Sequence, residues 1–152
     1  MSKRKITKYI VVHSTKTKPN ETVTIQTVDE WHRKKGKLKV GYHFFIKRDG
    51  TIECGRSPNK IGSHVREFDS ESIAICLAGG LNTRGIIAPD YSKEQIESLY
   101  VLIKTLKHMY FNAEVVGHRD LEKTDCPSFD ISTWWKLNEE NFGLLKYKYK
   151  DL

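Results

Sequence analysis

Cysteine is scarce in this chain: 152 residues contain three, Cys54, Cys76 and Cys126. So few, in an odd number, argue against a disulfide framework and suit folding in a reducing compartment. Long apolar runs are also missing. Nothing approaches the roughly 20 residues a membrane helix needs, so no membrane insertion is expected. The basic start at Lys3, Arg4 and Lys5 has the charge of a secretory n-region, but the apolar run behind it covers only residues 9–12 before His13 interrupts it. No signal peptide is therefore expected, and synthesis in the cytoplasm follows. Internal repeats, low-complexity tracts and Gly/Ser linkers are absent as well, which leaves one domain over residues 1–152. Acidic residues are outnumbered, 19 against 26 Lys and Arg, for a net charge of +7. That excess fits a polyanionic partner such as nucleic acid, an anionic lipid surface or a cell-wall polymer, and equally fits plain solubility. No aromatic-basic recognition motif such as an RNP sequence is present, so a nucleic-acid reading rests on charge alone.

What is present alternates strand and helix patterns. "YIVVH" is a β-branched run of the kind buried on both faces of a sheet. Thr27 with Glu30 forms a capping box for a helix that carries Trp31 and stops at Lys34, Lys35 and Gly36. "GYHFFIKRDGTIECGR" reads as a hairpin turning through Arg48, Asp49 and Gly50. "SIAICLAGG" is a further buried strand, followed by an exposed loop over residues 82–90. Ser92 and Gln95 cap the longest helix, whose apolar face is Ile96, Leu99, Tyr100, Ile103, Leu106 and Tyr110. "AEVV" is a last short strand. After it comes a polar loop, then a helix capped by Asp130 that carries Trp134 and Trp135. The expected fold class is α/β: a single domain with a central mixed β-sheet flanked by helices.

The chemistry lies at strand ends. His13 closes "YIVV" and His118 follows "EVV", while Cys126 sits in the loop that His118 begins, with Pro127 fixing the backbone after it. Open α/β sheets build their sites at such ends. Two imidazoles and a thiolate form a zinc ligand set, and three protein ligands leave a fourth tetrahedral position for water. A single thiolate leaves the site net positive, which favours lowering the pKa of that water toward about 7. Each residue also has a plainer reading: a lone histidine is commonly a core or surface residue, and a cysteine before proline can be a small buried hydrophobe.

The motifs "IVVHST", "WHRKKGKLKVGYHFFIKRDGTIECGR", "IGSHVREFDSESIAICLAGG" and "GHRDLEKTDCPSFD", in this order over about residues 8–137, resemble the zinc-dependent N-acetylmuramoyl-L-alanine amidases of the T7 lysozyme and peptidoglycan recognition protein type. The basic tail, 138–152, lies outside the resemblance. It implies that His13, His118 and Cys126 bind Zn²⁺. Strand alternation allows only one of Tyr42 and His43 to face the site, and the resemblance selects Tyr42, a phenol able to donate to the substrate carbonyl oxygen. It also implies that Thr124 assists at the oxyanion, at a position where relatives carry lysine or threonine, with Lys123 one residue out of register. A plainer reading makes Thr124 a loop residue that satisfies local backbone groups. His64 corresponds to a position near the substrate groove and is expected to contact substrate. Asp69 and Ala74 depart from the usual asparagine and glycine.

The implied activity is hydrolysis of the amide between N-acetylmuramic acid and L-alanine in bacterial peptidoglycan, by a monomer of endolysin type that acts on the cell wall after release. No Glu or Asp in the matched motifs is assignable as general base, which leaves the proton for the leaving amine unassigned. Two alternatives are a cytosolic wall-fragment recycling amidase, in which relatives carry aspartate as third ligand, and a non-catalytic peptidoglycan-binding module, in which the cysteine or tyrosine is lost. Cys126 and Tyr42 stand against both.

Overall fold

The computed structural model describes residues 1–140 and 148–152. Five strands form one mixed sheet: β1 (Tyr9–Ser14), β2 (Phe44–Ile46), β3 (Ile52–Cys54), β4 (Ser72–Leu77) and β5 (Glu114–Gly117), in the spatial order β3-β2-β4-β1-β5. β2, β4, β1 and β5 run parallel, and β3 pairs antiparallel with β2. The helices are α1 (Ile25–Lys34), α2 (Lys93–Met109) and α3 (Ile131–Asn138). This is the α/β sheet-and-helix arrangement expected from the sequence.

The period of two in the central strands decides which face meets which helix. Ile10, Val12, Ile73, Ile75 and Leu77 point to one face, where they join Ile96, Leu99, Ile103 and Leu106 of α2 and Ile131 and Trp134 of α3 in the main core. Fully burying an aliphatic side chain contributes about 1.5–3 kcal/mol, so this face carries much of the stability. The alternate residues point the other way: Phe45 and Cys76 pack with Val23, Val28 of α1 and Val40, and Val11 and Val116 pack with Val65. His13 and His118 fall on this second face, away from α2 and α3.

Local chemistry sets the helix starts. Ser92 and Gln95 make the expected reciprocal box on α2, and Asp130 caps α3 by accepting from the Thr133 N–H. For α1 the expectation is corrected. The cap is Thr24, which shares a box with Thr27, and Thr27 with Glu30 forms none. The helix begins at Ile25 because the Glu53 carboxylate on β3 accepts from the Ile25 N–H at 3.0 Å, a partner 28 residues away.

The hairpin turns where expected: Gly50 N–H donates to Lys47 O at 2.9 Å, and Gly50 itself lies at φ +90°. Within "GYHFFI", however, only Phe44–Ile46 is strand, and Tyr42 and His43 precede it. In the basic tail, residues 141–147 lie outside the described residues. Tyr149 is buried and stacks edge-on against Phe129 at 5.1 Å.

Candidate metal centre

Sheet register brings the candidate residues together. β1 pairs with β5 so that Val12 lies opposite Gly117, which places His13 next to His118, the residue after β5. Their rings are 4.5 Å apart. The loop beyond His118 returns Cys126 to the same spot, held by Arg119 N–H donating to Cys126 O at 2.8 Å. One donor atom from each of His13, His118 and Cys126 lies within 4.8 Å of the others. A tetrahedral ion with bonds of about 2.0–2.3 Å would draw such atoms to roughly 3.5 Å, a small contraction.

The donor chemistry fits zinc. His13 Nε2 is taken by His64 Nδ1 at 2.8 Å, and His118 Nε2 by Glu122 Oε1 at 2.6 Å. Each imidazole therefore keeps Nδ1 as its free nitrogen, and each is held from behind, as metal-binding histidines usually are. Burial, followed by the neighbouring His64 and His118 rings, pushes the basicity of His13 well below its ordinary value. It stays neutral, as a ligand must. Cys126 Sγ accepts from the Ser14 backbone N–H at 3.0 Å. Burial raises its thiol pKa, while the Ser14 donors and the Lys16 ammonium pull it back. Burial prevails, so the thiol form is favoured in the metal-free chain, and the backbone donor and nearby cation are the groups that would support a thiolate once a metal replaced its proton.

Tyr42 lies beside this cluster, its ring 5.0 Å from that of His13. Burial, and then the Cys76 and Cys126 thiols, raise its pKa well above 10. His43 faces away. Its Nδ1 accepts from Ala74 N–H at 3.0 Å and its Nε2 donates to Lys60 O at 2.7 Å, so it clamps the 60s loop to β4. Thr124 is half-buried and Lys123 exposed. Thr124 Oγ1 accepts from Cys126 N–H at 3.3 Å and from Lys16 Nζ at 3.4 Å.

His64 lies on the inner side of the cluster. Expected at the substrate groove, it sits behind His13 with no exposed side-chain surface, bonded at Nε2 to Ser72 Oγ at 2.9 Å. From there it touches the His13 ring, with ring centroids 4.9 Å apart. Asp69 anchors that loop by accepting from the N–H groups of His64 and Val65, which an asparagine oxygen could do equally well. His32 also proves structural, accepting from Gly41 N–H at 2.8 Å.

Three contributors escape the sequence reading: Glu122, Ser72 and Lys16. Glu122 carries a faint signal, since it stands four residues after His118 as helical i,i+4 pairs do. Lys16 carries none. It is extruded at φ +54° because its neighbours are both tied to the chain around the end of β4, Thr15 N–H to Leu77 O and Thr17 N–H to Gly79 O.

Known proteins are similar to this chain over most of its length. The family profile described as N-acetylmuramoyl-L-alanine amidase matches residues 2–129. The endolysin of Klebsiella phage KP32 is 40% identical over 138 residues, 91% of each chain. The endolysin of Escherichia phage T7 is 40% identical over 136 residues, 90% of each chain. Among solved structures, the N-acetylmuramoyl-L-alanine amidase LysC from Clostridium intestinale URNW superposes with a TM-score of 0.70 at 31% identity, covering 80% of this chain and 76% of its own. A profile match over most of the chain, relatives of equal length and a shared fold lead to one conclusion: the chain belongs to the N-acetylmuramoyl-L-alanine amidase family.

Proposed function

We propose that this peptidoglycan amidase cuts the amide between N-acetylmuramic acid and L-alanine at a zinc site held by His13, His118 and Cys126. The convergence of those three donors supports the reading most directly. Zinc held there would supply Lewis-acid polarisation and a nucleophile competent near neutral pH.

The remaining work falls to side chains. Tyr42, kept protonated by its burial, donates a hydrogen bond to the scissile carbonyl oxygen as charge develops there. Thr124 Oγ1 already accepts two hydrogen bonds, from Cys126 N–H and Lys16 Nζ, which leaves its own O–H to be donated to the same oxygen. Lys16 brings a positive charge to that side of the site, where a neutral threonine alone would bring none. Glu122 and His64 hold the two imidazoles in place and do not meet substrate.

The relatives of phage origin are endolysins, and among the described residues no helix is long and apolar enough to cross a membrane. We place this chain with them, as a monomer that reaches the wall after release from the cytoplasm. The retained cysteine and tyrosine favour catalysis over a binding-only module.

The experiment is elemental analysis of the purified protein paired with mass spectrometry of digested peptidoglycan. About one zinc per chain is expected, together with new L-alanine amino termini. Alanine at His13, His118 or Cys126 should remove most of the metal, since a three-ligand site has none to spare. Full zinc retention in Cys126→Ala, or cleavage of a different bond, would refute the assignment.

A further inference from the structure

The buried histidine behind the cluster, His64, has its hydrogen-bond directions fixed from outside the site. A backbone carbonyl, Phe68 O, can only accept. Ser72 Oγ lies 2.7 Å from Phe68 O, so the serine spends its single hydrogen there. Ser72 Oγ can then only accept from His64 Nε2, 2.9 Å away. The other candidate for that proton, Asp69 Oδ1, is 3.6 Å from Nε2, beyond hydrogen-bond reach, and already receives the backbone N–H groups of His64 and Val65. With its hydrogen on Nε2 and its side chain sealed from solvent, a neutral His64 presents a lone pair at Nδ1. That lone pair accepts from His13 Nε2 at 2.8 Å, and the one hydrogen of neutral His13 is thereby placed on Nε2.

We infer that Ser72 and His64 are positioning residues: a relay running from Phe68 O fixes His13 in its Nε2–H tautomer and leaves Nδ1 as a preformed metal-binding lone pair. Its consequence for zinc rests on the proposed metal site, but the tautomer is a property of the metal-free chain. Of the two imidazoles, His118 is held by an exposed carboxylate that water can replace. His13 is held by a relay shut inside the protein. The relay is thus the part that cannot re-form from solvent when broken.

The test is long-range ¹H–¹⁵N NMR of the histidine rings in the zinc-free wild-type protein, which reads the tautomer without metal or activity. His13 and His64 should both show the Nε2–H pattern. His13 as Nδ1–H, or averaged between the two forms, would overturn the relay. In a second arm, competition with a chromophoric zinc chelator is measured for Ser72→Ala and Ser72→Thr. Ser72→Ala should bind zinc about 10- to 100-fold more weakly and lose the fixed His13 tautomer, and Ser72→Thr, which keeps the hydroxyl, should restore both. Unchanged affinity and tautomer in Ser72→Ala also overturn the relay. A wild-type chain with the expected tautomers but no zinc uptake would support the relay and overturn the metal assignment instead. The wild-type measurement stands even if a Ser72 variant fails to fold.

Discussion

Tyr42 keeps its proton because burial and two neighbouring thiols, Cys76 and Cys126, all disfavour the phenolate. Its proposed task is donation, so Tyr42→Phe should hold zinc normally while turnover drops roughly 10²- to 10³-fold, the usual cost of one lost oxyanion donor. Unchanged turnover would remove it from the mechanism. Thr124 and Lys16, in contact at 3.4 Å, are the proposed second donor group. Thr124→Ala should lower kcat with little effect on KM, because the lost bond forms mainly in the transition state. Lys16→Ala should lower kcat in the same direction by less, and Lys123→Ala should leave it alone. Steady-state kinetics on purified walls would show this order, and a dominant effect from Lys123 would mean that the loop is threaded one residue differently. At this scale the convergence of His13, His118 and Cys126 is legible in the sequence, because strand ends and ligand chemistry coincide there. His64 is not. A histidine in a Gly-Ser-His loop looks accessible, and only the packing of that loop over Ser72 shows that its ring is sealed in.

Elements differ in how much tertiary structure they need to start and stop. α2 carries its own instructions, and its Ser92–Gln95 box is written in four residues. α1 does not: Thr24 and Thr27 are both credible caps, and Glu53 from β3 decides between them. The segment before β2 is more constrained still. A side chain on Gly41 would put Cβ 1.9 Å from Ser63 O, and one on Gly55 would lie 2.3 Å from Tyr42 O. Backbone packs directly on backbone around Tyr42, and Arg56 ties the segment down through Val40 O at 2.8 Å. Two substitutions should therefore behave differently in urea melts and kinetics. Ser92→Ala loses a cap, costs about 1 kcal/mol and keeps activity. Gly41→Ala forces the cradle open, costs about 1–3 kcal/mol or more, and lowers turnover because Tyr42 is the next residue. A Gly41→Ala protein with wild-type stability would contradict the packing described.

For the molecule as a whole, the acid limb of stability has an identifiable contributor. His43 is fully buried, and burial lowers its pKa from 6.5 to about 4 despite the opposing bond to Lys60 O. The unfolded chain takes up that proton from pH 6.5 downward and the native chain only near 4. The residue's contribution is therefore complete above pH 6.5 and is lost as pH falls toward 4, by roughly 3 kcal/mol at 1.36 kcal/mol per unit. Melting temperature should fall across that window while the His43 ring, followed by NMR, titrates only near 4. Titration near 6.5 would refute this. The overall α/β layout is legible from alternating strand and helix patterns, whereas the docking of Tyr149 is not. "KYKYKDL" reads as a solvated basic tail, yet the Tyr149 hydroxyl bonds Tyr91 O at 2.9 Å and the Tyr91 hydroxyl bonds Pro127 O at 2.6 Å, next to Cys126. The strand order has one more consequence. β1 lies between β4 and β5, and one half of the proposed site, His13 and Tyr42, is encoded before the exposed 83–87 segment, the other half, His118 and Cys126, after it. A cut in that segment would leave neither piece with all four side chains, so a split version should be inactive until two fused partners bring the pieces together.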